Sequence, residues 1–328
     1  MATSKDVAKL AGISYATVCR VFRDEGNVTN QTKSKVLEAA KQLNYSPNQI
    51  ASNLKRGQSN TIAFLDPDPK NPFYMRNISA ISECLRKEYG YHTLMIPDTS
   101  YSERVPEAMR LLLSYRVDGI IFSPIRQNTE EIESLRELIH AEQRCKFLQL
   151  HASIFDEIDS ITYDEYMTMY SLTCSLIDHG DDNILLLTND SMRAEAFQKA
   201  YQKHGLSNDS PIFSKAENFI SVDDCVSLIQ KYKPKVIITI AEMLALNVLE
   251  AITRLGLKTP DDLFFIVYDE ASWAKALGIT TVSHEEEAIA ICAAERICGL
   301  INRTYTEPKH MVIPNRIIYR SSYPDPQN

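Results

Sequence analysis

The sequence changes texture at residue 61. From there onward, short apolar runs of strand character alternate with amphipathic stretches of helical period. Parallel strands need a crossover long enough to hold a helix, so this alternation specifies a parallel α/β sheet. Strands are predicted at 61–66, 91–96, 119–123, 147–150, 183–188, 235–240 and 263–267, with helices near 73–89, 102–115, 130–142, 165–179, 192–204, 221–232 and 243–255. Seven strands with as many helices fit two βαβ lobes better than one continuous sheet. Ligands of open α/β sheets bind outside the carboxyl ends of the strands, so two facing lobes would make a cleft.

Before residue 61 the apolar period is helical and no strand pattern occurs. Thr3 or Ser4 can cap a first helix with Val7, Ala8, Leu10 and Ala11 turned inward, and Gly12-Ile13 ends it. Ser14 is placed to cap a second helix, 15–22, that buries Val18 and Val21 and turns Tyr15, Ala16, Thr17 and Arg20 outward. Asn30 or Thr32 can start a third helix, which runs through Val36, Leu37, Ala40 and Leu43. Two helices on a tight Gly-containing turn, braced by a third, form a helix-turn-helix. Pro47 stops the third helix, and the segment from Gln49 to Lys55 is too short to be helical without a partner surface. The expected domains are therefore 1–46, a hinge at 47–60, and a two-lobed unit at 61–328.

Charge follows the same division. The net charge is −8, yet residues 1–60 hold nine Lys and Arg against four Asp and Glu, while residues 61–328 hold 26 against 39. A basic head on an acidic body suits a nucleic-acid-binding arm on a soluble domain. The seven cysteines form no CxxC pair, and the histidines have no HxxxH or HExxH spacing. Reduced cysteines and no bound metal or cofactor are expected. With no apolar run of about 18 residues and no secretory h-region, the expected location is the cytoplasm, away from any membrane. Only 10 glycines occur, without a phosphate-cradling loop or a nucleophile elbow, so no enzymatic function is expected.

An ordered series of motifs runs the length of the chain: Lys5-Asp6-Val7-Ala8-Lys9-Leu10-Ala11-Gly12-Ile13-Ser14, Thr17-Val18-Cys19-Arg20-Val21, Asn44-Tyr45-Ser46-Pro47-Asn48, Asn71-Pro72-Phe73-Tyr74 and Arg116-Val117-Asp118-Gly119-Ile120-Ile121. In these the chain resembles the lactose/galactose repressor (LacI/GalR) family of transcription regulators. The resemblance implies a periplasmic-binding-protein-like core behind an all-α helix-turn-helix, a homodimer, a palindromic operator in double-stranded DNA, and a small effector. It assigns base selection to Tyr15 and Ala16 with Arg20 as a guanine reader, and further DNA contacts to Lys5, Ser14, Thr17, Asn27 and Thr29. Asn48, Ala51 and Leu54 fall on the hinge, with Leu54 as the wedge in the minor groove. Cys19 stands where the family usually has Ser. Six residues follow Ser322, too few for a tetramerising heptad tail, so a dimer is expected.

For the effector the resemblance points to Phe73, Gln149, Arg193, Phe219, Ala241, Asp269 and His284. An arginine fork and a carboxylate can grip vicinal hydroxyls while a ring covers an apolar sugar face. Three positions depart from the family pattern: Ala241-Glu242 replaces an Asn-Asp pair, Gln149 an acidic residue, and His284 a Gln. These departures leave a sugar, a sugar phosphate or a protein co-regulator as alternatives. A solute-binding protein of the same core fold is a more distant one, opposed by the basic head.

Overall fold

The computed structural model describes residues 2–22, 28–46, 58–65, 71–96, 105–124, 129–188, 190–206, 212–213 and 220–325. The chain divides into two compact units, Met1–Asn60 and Thr61–Asn328.

In the first unit, α1 (Ser4–Ala11) begins at a capping box in which Thr3 and Asp6 satisfy each other's backbone N–H groups. It ends where Gly12 takes a left-handed conformation at φ 65° and returns its N–H to Ala8. That turn sends the chain into α2 (Tyr15–Phe22), which Ser14 starts by accepting the Thr17 N–H. Thr29, one residue before the expected Asn30, caps α3 (Asn30–Gln42). Val7, Val18, Val21, Val36, Ala39 and Ala40 form a small core. The Phe22 and Tyr45 rings meet edge-on at 5.6 Å beside it, and the Tyr45 hydroxyl lies 2.5 Å from Ser4 Oγ. Leu10, expected inside, and Leu37 on α3 are about half exposed at 50% and 49%. The core of so short a bundle is filled by the valines and alanines, and these two leucines lie beyond its edge.

The second unit holds two six-stranded sheets. The first lobe is built from β1 (Thr61–Leu65), α4 (Pro72–Tyr89), β2 (His92–Met95), α5 (Val105–Ser114), β3 (Gly119–Phe122), α6 (Thr129–Ala141), β4 (Lys146–Leu150) and β5 (Ser160–Tyr163). The second lobe contains α7 (Glu165–Asp178), β6 (Ile184–Leu187), α8 (Ser191–Lys203), β7 (Ile212–Phe213), α9 (Val222–Tyr232), β8 (Val236–Thr239), α10 (Glu242–Arg254), β9 (Phe264–Tyr268) and β10 (Thr280–His284). The chain then returns through α11 (Glu286–Ile301), which packs on the first lobe, adds β11 (His310–Ile313) to that sheet, and crosses again to place β12 (Asn315–Ile318) in the second. The sheet orders are β11-β5-β4-β3-β1-β2 and β12-β10-β9-β8-β6-β7, parallel throughout except for β12 against β10. Five strands (β5, β7, β10, β11, β12) thus add to the seven predicted, and the two-lobed parallel class is the one expected.

Three connections join the lobes, at Asp164, Glu285 and Pro314. They leave the carboxyl ends of β5, β10 and β11, at one side of each sheet, and so place the residues flanking them, Glu165, His284 and Asn315, side by side. Each lobe has an independent apolar core on both faces of its sheet, the second lobe's being led by Phe197, Tyr201, Ile238, Ile266 and Tyr268 on one face. Phe197 is fully buried against Tyr201, so Phe197→Ala should lower unfolding free energy by about 3–5 kcal/mol. Urea titration checks this; a loss below about 1 kcal/mol would show that the site collapses freely.

Candidate operator-reading helix and interlobe cleft

On α2, the valines face the core and Tyr15, Ala16 and Arg20 lie on the exposed face, Tyr15 with 45% of its surface accessible. Thr17 is half-buried, its hydroxyl 2.8 Å from that of Ser14. Lys5 is exposed on α1, and Thr29 is engaged at the start of α3, where its hydroxyl meets Thr32 at 3.0 Å. Cys19 is half-buried. Asn27, Asn48, Ala51 and Leu54 lie outside the described residues, as does Phe219.

In the second unit the cleft contains a charged network. Glu165, the first residue of α7, accepts from the Arg193 fork (Nη2 to Oε1 2.7 Å, Nε to Oε2 3.1 Å) and from His284 Nε2 at 2.7 Å. The Asn315 amide adds a longer bond of 3.4 Å. Arg193 also meets Asp190, the cap of α8, at 2.7 Å, and lies over the Tyr268 ring. His284 Nδ1 sits 2.9 Å from Asp269, an ion-pair contact without the alignment of a full hydrogen bond. Asp269 follows β9 directly, holds φ 76°, and is 6% exposed.

Burial alone would push the Glu165 pKa up, but Arg193 and His284 overcome it and hold the carboxyl at about 2. Burial likewise opposes charge on His284, and Glu165 and Asp269 reverse this, raising it to about 9. Arg193 is opposed by the same desolvation and is raised by Glu165 and Asp190.

The first lobe faces this network with aromatic rings. Phe73, in the first turn of α4, lies 4.8 Å from the His284 ring across the cleft and 5.1 Å from both Tyr74 and His151. The Tyr163 hydroxyl donates to Asn77 Oδ1, so the Asn77 amide donates to His151 Nε2 at 3.0 Å. The imidazole Nδ1 then carries the proton and donates to Ser123 Oγ at 2.8 Å. Burial, with the His284 charge adding to it, holds His151 neutral with a pKa of about 3.

Of the residues expected at the effector site, Gln149 is turned away and Ala241, as expected, offers no polar side chain. Gln149 is fully buried and turned into its own lobe: its Oε1 accepts from the N–H groups of Ile154 and Phe155, and its Nε2 donates to the carbonyls of Phe155 and Ile158. Both donors and both acceptor positions of the amide are used, which leaves nothing for a ligand. Ala241 caps α10 without a side-chain bond, and the polar group at this position belongs to the next residue. Glu242 reaches across the cleft to Arg76 Nη1 at 3.1 Å while Trp273 Nε1 donates to its other oxygen at 3.0 Å. Arg76 Nε pairs with Glu286 at 2.7 Å.

Glu165, Asp190 and Arg76 were absent from the sequence reading. Arg76 had a local signal, one helical turn beyond Phe73 on the same face; Glu165 and Asp190 had none beyond their positions at helix starts.

A helix-turn-helix with an exposed second helix, followed by a two-lobed cleft domain, defines a DNA-binding regulator controlled by a small effector. Residues 3–48 match the model of bacterial regulatory proteins of the lacI family, and residues 59–321 match that of periplasmic binding proteins and the sugar binding domain of the LacI family. The chain belongs to the LacI family. It is 27% identical to the transcriptional repressor PurR of Histophilus somni over 98% of this chain and 99% of that protein. It is also 27% identical to catabolite control protein A of Priestia megaterium over 98% of each. Its fold matches the lac repressor dimer bound to operator and an anti-inducer with a TM-score of 0.82 and 21% identity, covering 99% of both chains.

The two cleft histidines give stability a pH signature. His284 is raised above its unfolded value of 6.5, so its contribution is complete below 6.5 and is lost as pH rises through about 9. His151 is depressed, so its contribution is complete above 6.5 and is lost as pH falls toward about 3, where Glu165 joins it below 4.5. Thermal melts from pH 5 to pH 10 should show His284→Gln flattening the alkaline limb, and the acid limb should soften with it because the His284 charge also depresses His151 and Glu165. An unchanged alkaline limb would remove His284 from this role.

Proposed function

We propose that the chain is a cytoplasmic homodimeric repressor that reads a palindromic operator through α2 and answers to a carbohydrate-type effector, a sugar or sugar phosphate, in the interlobe cleft. The observation that carries this reading is the exposed row of Tyr15, Ala16 and Arg20 on a helix held by the Gly12 turn. Tyr15 and Ala16 select bases, Ala16 by apolar contact alone, and Arg20 reads a guanine. Lys5, Ser14, Thr17, Asn27 and Thr29 fix the register on sugar and phosphate. Residues 1–46 form the DNA-binding domain, 47–60 the hinge, and 61–328 the effector and dimerisation domain. Asn48, Ala51 and Leu54 act at the operator centre, where Leu54 parts a base step.

In the cleft, Arg193, Asp269 and His284 supply the polar contacts, with Phe73 and Phe219 as ring surfaces. Gln149 supports the wall and takes no part in binding. A protein co-regulator is the second reading, favoured by the occupation of Arg193 by Glu165 and Asp190.

Selection of duplexes from a random pool should return an inverted repeat with half-sites about one helical turn apart, and Tyr15→Ala should relax one position per half-site. With about 6–10 phosphate contacts, affinity for that site falls about 10³–10⁵-fold between 50 and 200 mM salt. A flat salt dependence, or no enriched sequence, overturns the DNA assignment. Asp269→Asn and Arg193→Lys should each abolish the response to an effector found by thermal-shift screening and leave effector-free operator binding unchanged. A normal response in both moves the ligand elsewhere.

A further inference from the structure

Arg76 and Glu242 meet at a place that governs how far the lobes can part. The three crossings leave β5, β10 and β11, whereas Glu242 begins α10 shortly after β8, and β9 separates β8 from β10. Two strand spacings set it about 9–10 Å to the side of the crossing strand. A contact at the crossings turns with them and survives an opening of the cleft; one set to the side has to break. The contact of Arg76 Nη1 with Glu242 Oε2 at 3.1 Å is of the second kind, since α4 belongs to the first lobe and α10 to the second.

Both partners are held on their own sides of the cleft. Arg76 Nε pairs at 2.7 Å with Glu286, the first residue of α11, and α11 shares one apolar core with α4 through Ile289, Ala293 and Ile297. Glu242 Oε1 accepts from the Trp273 indole at 3.0 Å, and Trp273 packs on the second lobe's core. An exposed ion pair loses most of its Coulomb gain to screening and to the ordering of two long side chains. Here a neighbour orders each side chain, and the two are 25% and 12% exposed, which shields the pair from salt. Asp269 adds its attraction for Arg76 from the second lobe.

We propose that Arg76 and Glu242 form a latch by which the chain's own side chains hold the two lobes together, so that closure of the cleft does not wait for a ligand. Glu286 and Trp273 are its positioning residues, one on each lobe. An effector then meets a cleft that already rests closed and enters when the latch parts. The latch acts in the same way whatever the chemistry of the effector, and so stands apart from the carbohydrate-type reading.

The test reads lobe separation in the full chain by pulsed dipolar spectroscopy. Spin labels are carried on non-natural residues at Glu137 of α6 and Gln230 of α9, exposed positions on the two lobes, which leaves the seven cysteines unlabelled. An excess of unlabelled chain confines the reading to distances within one chain. With no ligand added, the wild-type chain should show one separation. Glu242→Gln keeps the size of the side chain and an oxygen for Trp273 but loses the charge. It should add a longer separation, the ratio of open to closed rising at least about tenfold, the equivalent of about 1.4 kcal/mol. Arg76→Gln should open the lobes at least as far, because it also gives up the attraction of Asp269. The two together should open little beyond Arg76→Gln alone, since groups in one contact are not additive. Trp273→Phe keeps both charges and frees Glu242 to turn away, so it should give an intermediate ratio. Far-UV circular dichroism matching that of the wild type excludes unfolding as the cause. A wild-type chain that populates both separations equally, a Glu242→Gln chain with the wild-type separation, or effects that add in full would overturn the latch.

Discussion

One carboxylate ties the three lobe connections together. Glu165 follows the first crossing, His284 precedes the second and Asn315 follows the third, and the latter two both bond to Glu165. Arg193 adds a fork from the second lobe. A buried carboxylate is tolerated only when its charge and lone pairs are met, and removing one partner of such a pair costs about 3–5 kcal/mol. The crossing between the lobes is therefore fixed by ionic chemistry at its centre, while the apolar cores lie on either side of it and stabilise each lobe separately.

This explains why the cleft was only partly legible in the sequence. The helix-turn-helix is local: a cap at Thr3, a glycine at 12 and a valine pair on α2 define it within a short stretch, and the structure has those elements where they were read. The partners of Glu165 lie 28, 119 and 150 residues away, so no window of sequence places them together. Gln149 sits at the strand end where a ligand residue would stand, yet a turn four residues beyond that end consumes its amide. Only the folded loop reveals that competition.

The missed strands have a similar cause. β10, β11 and β12 read Thr-Thr-Val-Ser-His, His-Met-Val-Ile and Asn-Arg-Ile-Ile, too polar to stand out beside the apolar runs of β3 or β6. They form because the sheets already exist: β11 adds to β5, and β12 pairs antiparallel with β10 in a register that opposes His284 and Asn315. Tertiary context overrides weak strand preference here. The same late pairing brings Asn315 to Glu165, so the edge strands serve the lobe crossing as much as the sheets.

Trp273 is the only tryptophan in the chain, and its indole donates to the Glu242 carboxylate whose other oxygen meets Arg76 of the opposite lobe. An indole's emission depends on the polarity and charge around it. The protein thus carries one intrinsic fluorophore placed on the seam between its lobes, and the colour and lifetime of that single residue register lobe separation without a label, a cofactor or a DNA partner.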